Sequence, residues 1–449
     1  MITQRTPSQR IRTDRPLLLL QTLHHGEIDL DLQVVIGIEE EGGALIMGDE
    51  VVLQAHPRTK VGGDRTEARD PNILPRKIQK GKDAALNGFP IQTSTRGRIL
   101  RFTTFPIPLN STISIRSFLS QATGTLRVSL DEGLHDTGSI QVIANGVTQK
   151  NLNQIGACLV TNKGRYFNTL SLKPKGFAAE VATYSIHLRF PSREASYPGL
   201  ITDLPGFAQS FDDLSIARFD FIEAGGMDGS IDALSILAKF IIVRSYNGTV
   251  DGHFSAEKGL TIHGEFSPIT ITSNICDDGW AFPTFARIST YQSPIDARLT
   301  LCNHTTAMED ESYGRYLVDV SNSDSPIALQ IEHTYPAQGS SLYVNVTNIE
   351  RERTGASHVM VTLDTGFEGN FELRADGDKA LPPSVKSEEA TDDHGGVRNV
   401  EINRVENEQR LIGGKVYWDS PVPPLDRRGS GVRINTFGSG EASLTLLGD

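Results

Sequence analysis

The sequence predicts an all-β protein whose C-terminal part is an irregular β-solenoid, a β-helix-like repeat body. Three observations predict it. First, one short pattern recurs four times. It reads Val243-Arg-Ser-Tyr-Asn-Gly-Thr-Val250, Ile262-His-Gly-Glu-Phe-Ser-Pro-Ile269, Ile288-Ser-Thr-Tyr-Gln-Ser-Pro-Ile295 and Val320-Ser-Asn-Ser-Asp-Ser-Pro-Ile327. Each copy is a strand end, a tight turn and a strand start, and repeats of this kind decide architecture before local propensity does. Second, apolar and polar residues alternate after each turn, as in Ile295, Ala297, Leu299 and Leu301. Third, no stretch of twelve or more residues holds a clean helical period. A two-sheet β-sandwich is the alternative architecture.

The elements follow in chain order. Residues 1–20 are arginine-rich and read as a disordered basic arm. Residues 21–53 read as a β-hairpin. Ile28, Leu30, Leu32, Val34, Ile36 and Ile38 share one parity, Glu40-Glu-Gly-Gly43 supplies a turn, and Ala44 to Leu53 returns. Residues 54–90 replace aliphatics with Arg, Lys, Gly and Pro, and read as a polar linker.

Residues 91–213 form an N-terminal β region. Leu126, Val128 and Leu130 alternate with polar residues, and Tyr184, Ile186, Leu188 and Phe190 do the same before Pro191. Asn145-Gly146 marks a hairpin turn. Residues 192–213 read as a crossing loop, with at most a turn of helix from Asp203 to Leu214. The repeat body spans 214–449. Its anchors step by 19 (243 to 262), 26 (262 to 288) and 32 (288 to 320), which places the extra residues in the loops Asp277–Thr284 and His304–Gly314. Asp376 to Arg398 reads as a mobile loop.

Composition limits the function classes. A net charge of −12 disfavours nucleic acid and anionic membrane as partners, since both call for Lys and Arg against phosphate. At the start of the chain the only apolar run, Leu17 to Leu20, is too short for a signal-peptide core or a membrane span, and no other window approaches the length needed to cross a bilayer. The compartment stays open, with the cytoplasm as default. Cys158, Cys276 and Cys302 are too few for a disulfide framework. Cys276 and Cys302 follow successive repeats and could face each other, yet free buried thiols are the simpler expectation. Acceptor sequences for N-linked sugar occur at Asn110, Asn247, Asn303 and Asn345, a number that chance supplies.

The search for chemistry returns no catalytic, cofactor-binding or metal residues, and no cofactor is expected. His24, His25 and Asp29 form the densest His cluster, but adjacent strand residues face opposite ways. His253 and His263 flank a turn and read as exposed polar residues. Paired carboxylates for polysaccharide cleavage would come from Asp277-Asp278, Glu309-Asp310-Glu311 or Asp392-Asp393, all in loops where charge is normally solvated. Cys158 reads as a core thiol, and the serines of Gly429-Ser-Gly431 and Gly438-Ser-Gly440 as turn residues. Trp280, Phe282 and Phe285 could stack on sugar rings or a partner, or cap the core.

The order of several motifs resembles a family of adhesin-like β domains from mushroom-forming fungi, and more distantly bacterial adhesin domains. The motifs are Ile186-His-Leu-Arg-Phe-Pro191, Leu204-Pro-Gly-Phe207 with Asp213-Leu214, Asn247-Gly248 and the Ser-Pro-Ile turns. Gly366-Phe-Glu-Gly-Asn-Phe371, Gly414-Lys-Val-Tyr-Trp418 and Gly431-Val-Arg-Ile-Asn-Thr436 complete the set. The resemblance runs from about residue 91 to the end and is best from 184. It implies a β scaffold, adhesion and cell-surface association, with no catalytic residues to transfer. This chain departs in showing no membrane span upstream and in less regular first repeats. The functional expectation is a non-enzymatic interaction or adhesion scaffold for a protein or glycan ligand, with self-association through exposed sheet edges. The alternative is a polysaccharide-acting β-helix hydrolase or lyase.

Overall fold

The computed structural model describes strand residues 30–35, 38–41, 44–47, 52–57 and 91–93. It then describes 99–448 apart from 118–121, 147–154, 162–166, 175–182, 280–281, 304–313, 335–339, 352–356, 378–379, 391–396, 405–409 and 420–429. The arm, the histidine cluster and all linker residues from 58 to 90 lie outside this set. The chain divides into two compact units, 1–78 and 79–449. In the first, Leu30–Val35 pairs antiparallel with Val52–Pro57, and Ile38–Glu41 with Ala44–Met47.

The second unit is all β: no helix occurs among the described residues. Its chain winds in rungs, each crossing a leading sheet and then a trailing sheet. Gly206–Gly226, Ile231–Ser245 and Val250–Gly264 each run through both sheets as one strand, with register shifts where they bend. Later rungs split the crossing in two. Ile269–Asp277 is followed by Thr284–Ser289, Ile295–Asn303 by Arg315–Ser323, and Ile327–His333 by Ser341–Ile349. The split falls where the unequal repeat steps placed the extra residues. Neighbouring rungs pair in parallel throughout.

The repeat anchors stack in register, as layered coils require. Val243 pairs with Ile262, Ile262 with Ile288 and Ile288 with Val320, and the column continues through Val346 to Ile434 and Leu373. The second anchors form another column of Val250, Ile269, Ile295, Ile327, Val359 and Ala442. All are at most 1% exposed. Burying each such aliphatic contributes about 1.5–3 kcal/mol, so the columns hold the coils together. The degenerate first copy is a full one, since Ala224 joins the first column and Ile231 the second. Two polar residues occupy column positions. Gln209 lies between Leu126 and Ile231, and Thr202 between Ile115 and Ala224. They satisfy each other. The Thr202 hydroxyl donates to Gln209 Oε1 at 2.6 Å, and Gln209 Nε2 donates to the Gly225 carbonyl at 2.7 Å.

The two corners have different chemistry. The tight-turn corner, from trailing to leading sheet, carries a buried polar ladder. Ser267 Oγ donates to Ser245 Oγ (3.0 Å), Thr290 Oγ1 to the Ser267 carbonyl (3.2 Å), Asn322 Nδ2 to the Ser293 carbonyl (2.8 Å), and Asn348 Nδ2 to the Ser325 carbonyl (2.7 Å). Carbonyls that the turns turn inward thus find donors from neighbouring rungs. Gln292 and Asp324 adopt left-handed φ (59° and 61°) at the same turn position. The wide corner closes with an acid. Asp131, Asp213, Asp277 and Asp364 each accept the backbone N–H two residues on. The Ser215 hydroxyl and N–H hold Asp213 below the usual carboxylate range.

Strand order departs from chain order at both ends. In the leading sheet Ile99–Pro108, Thr137–Gly146, Thr183–Pro191 and Thr123–Asp131 precede the first full rung, the first two pairs being antiparallel. At the far end the last segment of the chain is not the last in space. Gly431–Phe437 lies between Ser341–Ile349 and Gly369–Asp376. Ala442–Leu446 lies between Val359–Leu363 and Ser384–Ser387. Leu411–Asp419 and Val397–Arg404 extend the trailing sheet antiparallel.

Four expectations are corrected. Asn145-Gly146 is the end of a strand paired to Leu100 and Ile99 rather than a hairpin turn, because long-range pairing overrides local turn propensity. Residues 192–213 hold strands Ala195–Tyr197 and Leu200–Asp203 and the start of a full rung, not a crossing loop or helical turn. Within 376–398, Ser384–Ser387 is a strand and Ala390 is buried. Cys276 and Cys302 are not free thiols: their in-register pairing sets the Cα atoms 4.3 Å apart, and a disulfide joins the two rungs.

Candidate functional site

The structure gives several sequence candidates structural work. Asp277 is a corner acid, 5% exposed, accepting the N–H of Gly279 (3.0 Å) and of Arg315 (3.2 Å). Asp278 pairs with Lys258 Nζ at 3.6 Å. His253 and His263 are not brought together by any contact. His253 Nε2 lies 3.3 Å from Asn274 Nδ2 and 3.5 Å from Ser255 Oγ, whereas His263 Nδ1 lies 2.9 Å from Ser289 Oγ on the trailing sheet. Ser430 Oγ accepts the Leu342 N–H, and Ser439 Oγ donates to Glu350 Oε2 at 2.6 Å. Cys158 lies opposite Ser171 in an edge pairing. Glu309-Asp310-Glu311, Asp392-Asp393 and Trp280 lie outside the described residues. Phe282 is half-buried. Phe285 joins an outward row, in register with Gly259 and Leu317. No group of three or more metal-ligating side chains gathers among the described residues.

A different surface comes together at the tight-turn corner. Tyr246, Phe266 and Tyr291 project from successive turns. Their rings meet edge to face, 5.5 Å and then 5.6 Å between centroids. The Arg351 guanidinium caps the row 5.6 Å from the Tyr291 ring. Tyr246 and Phe266 stay 38% and 37% exposed, and Met227, 49% exposed, occupies the matching turn one rung earlier. Turn stacking explains the row: Phe266 N donates to the Tyr246 carbonyl and Asn247 N to the Met227 carbonyl, so one turn dictates where the next side chain emerges.

Three or four residues further on in each rung, the leading sheet begins, and its outer face holds a groove of about 320 Å³. Asp251, Thr270 and Asp296 stand in register along one side. Thr272, Arg298 and Gln330 line the other, over a floor that includes Gly252, Ile271 and Ala297. The Arg298 guanidinium donates to Gln330 Oε1 (2.9 Å), and Gln330 Nε2 donates to Glu332 Oε1 (2.6 Å). Asp251 and Asp296 are exposed and have no hydrogen-bond or ion-pair partner among the described residues. The arrangement offers apolar ring faces beside free acceptors. It can hold a ligand with one apolar and one hydroxyl- or amine-bearing edge.

Sequence reading passed over these residues although the signal was present. Tyr246, Phe266 and Tyr291 stand inside the repeat copies, in the turn between the two aliphatic anchors. Asp251 and Asp296 directly follow the second anchor of their copies.

No family model matches the chain, and no curated protein matches it. Among solved structures it is similar to a putative cell adhesion protein from Clostridium sporogenes, at 8% identity and a TM-score of 0.18, over 78% of this chain and all of that one. It is also similar to a putative adhesin from Parabacteroides merdae, at 6% identity and a TM-score of 0.27, over 78% of this chain and 96% of that one. Likeness this distant says nothing of function.

Proposed function

We propose that this protein is a non-enzymatic interaction scaffold of adhesion type, which presents its stacked coils to a protein or glycan ligand. The observation that carries the reading is the aromatic ridge in step with the free acceptor row. Rungs spaced about 4.7–4.9 Å apart repeat both along one line, so an extended ligand meets the same chemistry several times. The motif order shared with fungal adhesin-like domains points the same way. A glycan array and a panel of purified surface proteins test it. Specific binding lost on Phe266→Ala supports it, and turnover of any polysaccharide overturns it.

One observation favours the hydrolase alternative. Asp251 and Asp296 sit two rungs apart, about 9.5 Å by strand spacing, near the wide end of the separation an inverting pair uses. Under that reading Asp251→Asn abolishes turnover of a polysaccharide, while under the scaffold reading there is none to abolish.

A further inference from the structure

We infer that the ridge and groove together form a binding site for a linear, uncharged saccharide chain lying along the stacking axis. The inference rests on the scaffold reading and names its ligand class.

Three features narrow the ligand. The groove lies on the face of a sheet whose strands are paired on both sides. Val250–Gly264, Ile269–Asp277, Ile295–Asn303 and Ile327–His333 follow one another in register. Their backbone groups are engaged by neighbouring rungs, so a peptide cannot bind there by adding a strand. Recognition falls to side chains. The free side-chain groups are acceptors or hydroxyls: the Asp251 and Asp296 carboxylates and the Thr270 and Thr272 hydroxyls. The one cation, Arg298, is tied to Gln330 and lies 3.9 Å from the Glu332 carboxylate. A site with free carboxylates and an occupied guanidinium takes hydroxyl donors and repels acidic polymers, and the net charge of −12 adds to the repulsion. The ridge supplies the complementary half. Tyr246, Phe266 and Tyr291 follow one another at 5.5–5.6 Å steps with adjacent planes near perpendicular (77° and 74°), so ring faces and ring edges alternate along an apolar ridge against which the C–H faces of sugar rings can pack.

The ridge and groove share the turn. Four residues separate Phe266 from Thr270, and five separate Tyr246 from Asp251 and Tyr291 from Asp296. A chain running across the rungs meets a ring on one side and, on the other, Asp251, Thr270 and Asp296 in three successive turns.

The test is calorimetric titration of the full-length protein with linear oligomers of glucose and of N-acetylglucosamine, from dimer to hexamer, beside galacturonic acid oligomers. The expected result is binding of one neutral series, with affinity rising with length and levelling once the chain spans the three rings. The acidic series shows no binding. Phe266→Ala, with unchanged thermal unfolding, weakens affinity by about tenfold, an aromatic contact of ~1.4 kcal/mol. Asp251→Asn with Asp296→Asn, which keep shape and remove charge, weaken the neutral series and do not create binding of the acidic one in its place. Absence of binding by both neutral series overturns the inference, as does binding indifferent to both sets of substitutions. If a purified protein ligand is instead lost on Phe266→Ala, the saccharide assignment falls and the scaffold reading stands. Cleavage of the oligomers overturns the scaffold reading itself.

Discussion

Adjacent residues Ile295 and Asp296 sit on opposite faces of one strand, and they test the coil stacking sharply. Ile295 is 1% exposed, and its register partners Ile269 and Ile327 are equally buried. Replacing it with alanine removes three carbons from a column whose spacing is fixed by backbone pairing above and below. The rungs cannot close the gap, so the cost belongs in the usual core range of about 2–5 kcal/mol. Ile295→Asp is worse, since it places a carboxylate without a partner among aliphatics, and the repeat body unfolds. Asp296 points outward with no described partner, so Asp296→Ala changes stability by no more than about 0.5 kcal/mol. Urea unfolding followed by the β-sheet circular dichroism signal reads all three. A lowered midpoint at unchanged slope reports the alanine effect. Equal midpoints for Ile295→Ala and Asp296→Ala would refute inward columns altogether.

Other consequences are equally direct. Reduction of the Cys276–Cys302 bond, which bridges a sequence separation of 26, costs about 3–4 kcal/mol on the loop-entropy model; the melting temperature with and without reductant measures it, and three alkylatable thiols instead of one in the denatured, unreduced chain contradict the pairing. Burial pushes the phenols of Tyr184 and Tyr316 well above their ordinary range. A folded-state value raised above the unfolded one means their contribution is complete below pH ~10 and is lost as pH climbs further. Tyr316→Phe softens that alkaline loss but gives up the 2.5 Å bond to the Cys302 carbonyl, as pH-dependent melting shows. Glu257, 7% exposed, is held by Arg218 at 2.5 Å. Arg218→Ala strands its charge and costs about 1–3 kcal/mol, less than a fully buried pair because Arg218 is half in solvent; adding Glu257→Gln recovers most of the loss in a double-mutant cycle. Asn348→Ala removes one of the two amide donors to the Ser325 carbonyl, Asn322 remaining, and lowers stability by about 0.5–1.5 kcal/mol in urea titration.

How far the sequence spoke depended on the range of the interaction. Val243, Ile262, Ile288 and Val320 could be aligned by eye because each anchor precedes a turn of constant length, and constant turns force constant register. The loops after Asp277 and Asn303 were legible from the unequal steps. Gln209 and Thr202 were not, since each satisfies the other inside a column that otherwise reads as aliphatic. The corner acids Asp131, Asp213, Asp277 and Asp364 recur at spacings too irregular to register as a repeat. Asn145-Gly146 has strong local turn chemistry, yet pairing with Ile99 and Leu100 prevailed, and no local pattern announces a partner some forty-five residues away. The binding surface was hidden in plain view. Its aromatic residues lay within the quoted copies, but only stacking shows that Tyr246, Phe266 and Tyr291 touch.

The interleaved end of the body ties folding to synthesis. Strands Gly369–Asp376 and Ser384–Ser387 leave the ribosome before their inner neighbours, Gly431–Phe437 and Ala442–Leu446, exist. A nascent chain can lay down coils in order only as far as Val359–Leu363. Beyond that it must keep a place open until Gly431–Phe437 and Ala442–Leu446 arrive, so the far cap forms only once those two strands have been made.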